Sequence, residues 1–349
     1  MKDKDILEML KEETDKVARQ LLRGVIIQPG AIGDCILTLP LARFMKNNLS
    51  FGGVDMIGHT EYIGILPGRS CVDSVRSIDS IELHRLFDKP KSFELADKDV
   101  LINVFADYSW IVTFMGEPHS NFERNLIFTA HCSHSAEVIT LELKPARNFR
   151  GHITQHHTEQ FVKQSNMSVS IRQSELNKCL IRTTDEDLCR GRELLEENGI
   201  DFCKKLVVIA PGSGGMHKCW HIENFLSLAQ KLRLRNFEVV FLLGPAELER
   251  FPGDLIENIC CTGQCFTDLS LTMICGLLSC AHAFIGNDSG ITHLAAASGV
   301  KTVAVFGPTN PAIYRPVGPS VIVFESDATV FAKESSIQLQ QKILDVLLC

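Results

Sequence analysis

Three short segments of this sequence concentrate residue types that can do chemistry. The first is Asn287-Asp288-Ser289-Gly290-Ile291-Thr292-His293, placed where an apolar strand-like run meets an apolar helical run. A helix N-terminus presents unpaired N–H groups and a partial positive charge, which suits a diphosphate. Gly290 lets a ligand approach the backbone closely. His293, one turn on, falls on the same face as Ser289 and Gly290. The competing reading is a plain N-cap, with Asp288 or Ser289 accepting backbone bonds, and a lone helical histidine is more often structural. The second segment is Pro211-Gly212-Ser213-Gly214-Gly215-Met216-His217-Lys218-Cys219-Trp220. Glycines after a buried strand can wrap a phosphate in backbone N–H groups, and Lys218 would add a point charge. The glycine–lysine spacing is not that of a P-loop. Taken alone, the segment is more commonly a flexible loop with a solvated lysine. The third is Gly30-Ala31-Ile32-Gly33-Asp34, where Asp34 is either a helix cap or a carboxylate base. The glycines lack the GxGxxG spacing, so dinucleotide binding is not indicated.

The elements around these segments predict how they are held. A strand over Gly24–Gln28 precedes the first glycine turn. A helix over Asp34–Asn47 follows, with Pro40 expected to end its first turn or kink it. A second strand is expected at Val54–Gly58 and a third at Asp99–Phe105. The stretch Arg147–Ser170 reads as a crossover with a helix from Thr158, and Asn177–Thr184 as a strand leading into a helix over Asp185–Asn198 that Gly199 stops. Beyond it come strand Leu206–Ala210, helix Ile222–Leu234, strand Glu238–Leu243, helix Thr272–Cys280, strand Ala283–Gly286, helix Gly290–Ser298 and strand Thr302–Phe306. This alternation predicts a doubly wound parallel sheet, and the two halves predict two such domains facing each other across a cleft.

The chain has 349 residues, enough for two cores of ordinary size. A net charge of −7 argues against an extended nucleic-acid groove while leaving room for a local basic pocket. No run reaches the ~20 apolar residues that span a bilayer, and no signal peptide is visible. Met1–Arg23 reads as an amphipathic helix, with Ile6, Leu7, Leu10, Val17, Leu21 and Leu22 near helical spacing; packing on the first domain is the preferred role. The 13 cysteines are odd in number and scattered. Cys261 and Cys265 form a CxxxC with no second pair to complete a zinc site, so a reduced, cytoplasmic protein is expected.

Together these segments resemble glycosyltransferase family 9, the lipopolysaccharide heptosyltransferases, whose fold is GT-B. The resemblance runs from about Gly24 to Gly318. It is strongest at Gln28–Asp34, at Pro211-Gly212-Ser213 through Lys218-Cys219-Trp220, at Gly286–Ala297, and at Val305-Phe306-Gly307-Pro308-Thr309-Asn310-Pro311. It implies a domain of residues 24–165 for the acceptor and one of 166–349 for the nucleotide sugar, after a helical extension of residues 1–23. The last helix is one that can cross back onto the first domain. It also implies that Asp34 is the general base, on a turn shaped by Gly30 and Gly33. Lys218 with Ser213, Gly214 and Gly215 would clamp the donor diphosphate, and Asp288, Ser289, Gly290 and His293 would form the donor-binding turn. Glu247 would hold the ribose and Leu269 would cover the adenine.

Two features depart from the family. The extension before the first strand is one. The loop Gly116–His134 is the other: it carries Arg124, His119, His131 and His134 where members acting on phosphorylated lipid cores often carry more Lys and Arg, so the acceptor is left open. His152 and His156, with His157 beside Glu159, could suggest a metal, but a structural role is preferred. The expected activity is inverting transfer of a sugar, heptose first, from an ADP-sugar to a lipopolysaccharide-core or other glycan hydroxyl. Neither metal nor cofactor is expected, and contact with the inner membrane surface remains open to it. The rival readings are a non-catalytic nucleotide-sugar or glycan binder of the same fold and a nucleotide-sugar epimerase.

Overall fold

The computed structural model describes residues 22–49, 52–167 and 178–348. The helix expected over Met1–Arg23 therefore lies, up to Leu21, outside the described residues. The chain divides into two compact units, one of residues 1–149 with 153–172 and the other of residues 150–152 with 173–349.

The first unit is built on strands β1 (Arg23–Ile27), β2 (Gly53–Gly58), β3 (Val75–Ser77), β4 (Tyr108–Thr113) and β5 (Glu137–Thr140). All pair in parallel in the order β3-β2-β1-β4-β5. The order reverses beside β1, so ligands are expected at the carboxyl end of that strand. Its helices are α1 (Ile32–Asn48), α2 (Thr60–Ile63), α3 (Val100–Phe105), α4 (Asn121–His131) and α5 (Ile153–Gln164). Val25 and Ile27 pack with Phe105, Ile111, Phe122 and Leu126 into one core. Helix α5 lies on α1, where the Phe44 and Phe161 rings meet edge to face at 6.2 Å.

Several expectations in this unit are overturned. Asp99–Phe105 is not a strand: Asp99 accepts the Leu101 N–H at 3.0 Å and caps α3. The buried residues Leu101, Val104 and Phe105 follow helical spacing, which a six-residue, mostly apolar run cannot distinguish from a strand. The third strand of the sequence is instead β3, and β4 follows the helix. The stretch Gly116–His134 is not only loop, because Ser120 caps α4 within it. Helix α1 also runs without a break through a buried Pro40. Packing on the sheet and on α5 outweighs the ~3 kcal/mol local cost of an internal proline. Helix α5 begins at Ile153, ahead of the expected Thr158.

The second unit holds β6 (Lys205–Ala210), β7 (Phe237–Leu243), β8 (Gln264–Thr267), β9 (Ala283–Asn287), β10 (Thr302–Phe306) and β11 (Val321–Glu325), parallel in the order β11-β10-β9-β6-β7-β8. Here the order reverses between β6 and β9. Both strands are buried almost throughout, which explains their uninterrupted apolar sequences. The helices are α6 (Asp185–Glu197), α7 (Ile222–Arg233), α8 (Pro245–Arg250), α9 (Gly253–Thr262), α10 (Leu271–Ser279), α11 (Gly290–Ala297), α12 (Pro311–Tyr314) and α13 (Ile337–Leu348). The last of these packs on α7 within its own unit. The strand expected over Asn177–Thr184 is absent from its described part. That stretch instead docks by two amides, Leu180 and Ile181, on the single carbonyl of Ala297, at 2.9 and 3.0 Å.

Helices α6 and α10 meet through glycines. A Cβ on Gly191 would strike the Gly276 carbonyl, and one on Gly276 would strike the Asp187 carbonyl, backbone atoms that cannot swing aside. Gly276→Ala is therefore expected to destabilise by about 1–3 kcal/mol through overpacking, although alanine is the better helix former. A thermal scan should show a Tm several degrees lower; an unchanged or raised Tm would mean that the two helices can part without cost.

Candidate functional site

The turn after β1 is held from within. Gln28 is buried, and its side chain donates to Thr38 Oγ1 at 2.8 Å and accepts the Gly30 N–H at 3.0 Å. Thr38 in turn donates to the Asp34 carbonyl at 2.8 Å. Asp34 sits on the first turn of α1, close after Gly33. Its Oδ2 accepts the Ala31 N–H at 3.2 Å while the residue remains exposed to solvent. Capping and a chemical role are thus compatible, since the side chain caps the helix without being buried. Gly30 is required here: a Cβ on it would lie 2.7 Å from the Asp34 side chain. On the inner side, Cys35 Sγ donates to the Gly30 carbonyl at 3.5 Å.

In the second unit, the two glycine turns leave the carboxyl ends of the neighbouring strands β6 and β9, at the point where the strand order reverses. Asn287 joins them. Its fully buried amide donates to the Pro211 carbonyl at 2.6 Å and accepts the Trp220 N–H at 2.9 Å. Ser213 Oγ donates to the Asp288 carbonyl at 2.6 Å. Lys218 Nζ reaches Asp288 Oδ2 at 3.0 Å, and His293 Nε2 lies 3.7 Å from Asp288 Oδ1. Burial works against the Asp288 carboxylate, but His293 and Lys218 outweigh it and hold its pKa at about 2. Lys218 is therefore not a freely solvated lysine; it is aimed by a carboxylate. Ser289 has the capping role, with its Oγ accepting the Thr292 N–H at 3.4 Å, and Gly290 opens α11. His293 is 4% exposed, and its Nδ1 has no hydrogen-bond partner among the described residues.

The same loop is buttressed from β7. Glu247 Oε2 accepts the Gly244 N–H at 2.7 Å, and its carboxylate covers Gly212 so closely that any Cβ there would collide with it. Burial raises the Glu247 pKa, with the Gly244 bond and Arg250 pulling the other way. Arg250 donates to the carbonyls of Ser213 and Gly214, at 3.0 and 3.2 Å. Cys219 Sγ donates to Gly215 O at 3.5 Å. Ser213, Lys218, Asp288 and His293 are thus gathered in one cluster, with Gly214, Gly215 and Glu247 alongside. Leu269 is half-buried after β8, two strands from β6.

Sequence reasoning placed Asn287 in the first of the three segments without giving it a role, and it missed Arg250. The signal for Asn287 is a polar residue closing an apolar strand; Arg250 left none. His152 stands ahead of α5 rather than on it and belongs to the second unit. Its Nε2 bonds the Arg315 carbonyl at 2.8 Å, and burial lowers its pKa to about 4. It does not share a helix with His156, so the i, i+4 pairing that could suggest a metal is not realised.

The family model for glycosyltransferase family 9 (heptosyltransferase) matches residues 152–343, more than half of the chain. Lipopolysaccharide heptosyltransferase 3 of Escherichia coli K12 is 24% identical over 319 residues, covering 84% of each chain. Among solved structures, the E. coli ADP-heptose LPS heptosyltransferase II is similar with a TM-score of 0.68 at 14% identity, covering 94% of this chain and 99% of that one. E. coli heptosyltransferase WaaC with ADP gives 0.63 at 18% identity, covering 93% and 99%. The likeness in structure establishes the GT-B fold of two Rossmann-like units, and the match over residues 152–343 establishes the lineage: this chain belongs to glycosyltransferase family 9.

Proposed function

We propose that this glycosyltransferase moves a heptosyl group from ADP-heptose to a hydroxyl of a lipopolysaccharide core or similar glycan, inverting the anomeric centre. The observation that carries the reading is the joining of two glycine turns at adjacent strand ends by Ser213, Lys218, Asp288 and Asn287. A diphosphate seated there would meet backbone N–H groups, the N-terminus of α11 and the Lys218 ammonium. The relatives' names, which specify heptosyltransferases and one complex with ADP, support heptose and adenine over other donors.

In the proposed reaction Asp34 takes the proton of the acceptor hydroxyl. The acceptor oxygen attacks the anomeric carbon from the face opposite the nucleotide, and the bond from that carbon to the diphosphate oxygen breaks. The negative charge that builds on the leaving diphosphate is received by Lys218 and the turn amides. Asp288 keeps Lys218 aligned. Glu247 and Leu269 are the proposed contacts to ribose and adenine. Lys218 and the helix terminus supply the positive charge that a metal supplies in other transferases, so we propose that none is needed. Among the described residues no helix is long and apolar enough to cross a membrane. A lipid-linked acceptor would bring the protein to the inner surface of the cytoplasmic membrane as a peripheral enzyme.

Three measurements test this reading. Asp34→Asn should keep the fold and ADP binding and lower kcat about 10²–10⁴-fold, the usual contribution of a general base; near-normal turnover at saturating substrates would remove Asp34 from the mechanism. Lys218→Ala should weaken ADP binding about tenfold or more in a calorimetric titration, because a charge-assisted hydrogen bond is lost. Equal affinity would mean that Lys218 serves Asp288 alone. Transfer should also continue in EDTA, and loss of activity that Mg²⁺ or Mn²⁺ restores would overturn metal independence. In the same assays, donor turnover without acceptor would point to an epimerase, and binding without turnover to a sensor.

A further inference from the structure

We propose that Arg250 is a positioning residue of the donor site. Its guanidinium holds two consecutive carbonyls of the Ser213–Gly215 turn and so directs the next two backbone N–H groups to the diphosphate. The inference rests on the donor reading of that turn.

Arg250 ends the six-residue helix α8. Nη1 donates to Ser213 O at 3.0 Å and Nη2 to Gly214 O at 3.2 Å. A guanidinium is a rigid planar fork, so two such bonds fix two successive peptide planes relative to each other. In a trans peptide the C=O and the following N–H point in opposite directions, and the described residues contain no cis bond. Drawing the Ser213 carbonyl toward Arg250 therefore turns the Gly214 N–H away from it. Drawing the Gly214 carbonyl does the same for the Gly215 N–H. Neither amide has an acceptor among the described residues.

The middle of the turn, at Gly214, is poor in other restraints. A Cβ on Gly214 would meet nothing within 4 Å, so no neighbour packs against that face. Glycine loses more conformational freedom on ordering than any other residue. Ser213 is pinned on its other side by its hydroxyl bond to the Asp288 carbonyl at 2.6 Å. Without Arg250, the Gly214 peptide would have to be ordered by the ligand at the moment of binding, whereas the Gly215 carbonyl keeps the Lys218 N–H at 2.9 Å. With it, that entropy is already lost, and the donors are preset for the charge they are to receive. Arg250 is itself exposed, so replacing it opens no hole in the core.

The test is calorimetric titration of ADP, inorganic pyrophosphate and adenosine into the parent protein, Arg250→Gln and Arg250→Lys, with a thermal scan of each. Arg250→Gln is expected to bind ADP and pyrophosphate about tenfold more weakly, with adenosine affinity and Tm unchanged. Arg250→Lys should fail to restore binding, because an ammonium is not a planar fork that spans both carbonyls in fixed geometry. Full retention in Arg250→Lys would show that charge, not orientation, is the contribution, and would overturn the proposal. So would unchanged ADP binding in Arg250→Gln, or an equal loss for adenosine, which would indicate general damage. A parent protein that binds pyrophosphate but not ADP refutes the nucleotide-sugar reading alone and leaves the pyrophosphate series to decide the inference. One that binds neither removes both.

Discussion

The second unit depends on one buried side chain. Where β6 and β9 end together, the backbone must leave the sheet, and its polar groups lose their ladder partners in a place water does not reach. An unsatisfied buried group of this kind costs about 1–3 kcal/mol. Asn287 is the residue that removes the problem, since one amide both accepts and donates. It ties the Pro211 carbonyl on one turn to the Trp220 N–H beyond Lys218, with no exposure of its own. An aspartate of the same shape has no donor for the carbonyl and would bury a charge; a leucine has neither group. The positions of Ser213, Lys218 and Asp288 follow from that tie.

On this frame the electrostatics are self-contained. A lone carboxylate as buried as Asp288 would favour its neutral form. The Lys218 ammonium and the nearby His293 reverse that, and Asp288 stays ionised through the neutral range. The lysine gains from the same pair: its long stem is held in one direction instead of sampling solvent. A cation aligned by a neighbour needs less reorganisation when an anionic ligand arrives than one that must first be ordered.

How much of this could be read from the letters varies with burial. Strands such as β9 and β10 are covered on both faces, so each carries a compact apolar run, Ala283-Phe284-Ile285 and Val303-Ala304-Val305-Phe306, that ends at a glycine, and their positions are legible. The edge strands β3 and β8, of three and four residues, carry too few positions to show a period. Asp99–Phe105 reads as a strand because so short a run, with five apolar residues, has no periodicity that separates strand from helix; the deciding contact is the Asp99 cap. The same divide holds at the site. Ser213, Lys218, Asp288 and His293 stand on glycine turns that mark themselves in sequence. Asn287 and Arg250 act on carbonyls 76 and 36–37 residues away, and nothing local announces that.

Two of the three glycine turns, those after β1 and β6, are backed by sulfur. Cys35 donates to Gly30 and Cys219 to Gly215, each at 3.5 Å. Burial pushes the Cys35 thiol up to about 12, with the Asp34 charge adding, and burial likewise raises Cys219, with Glu247 adding. Alkylating reagents, peroxides and disulfides react with the thiolate, and these two thiols have almost none to offer at neutral pH. The exposed thiols, among them Cys132, Cys189 and Cys203, are open to the same reagents. A chain this rich in cysteine can thus be oxidised or labelled over its surface while the sulfurs behind these two turns remain unreacted, and it holds those turns in shape by bonds that oxidants reach last.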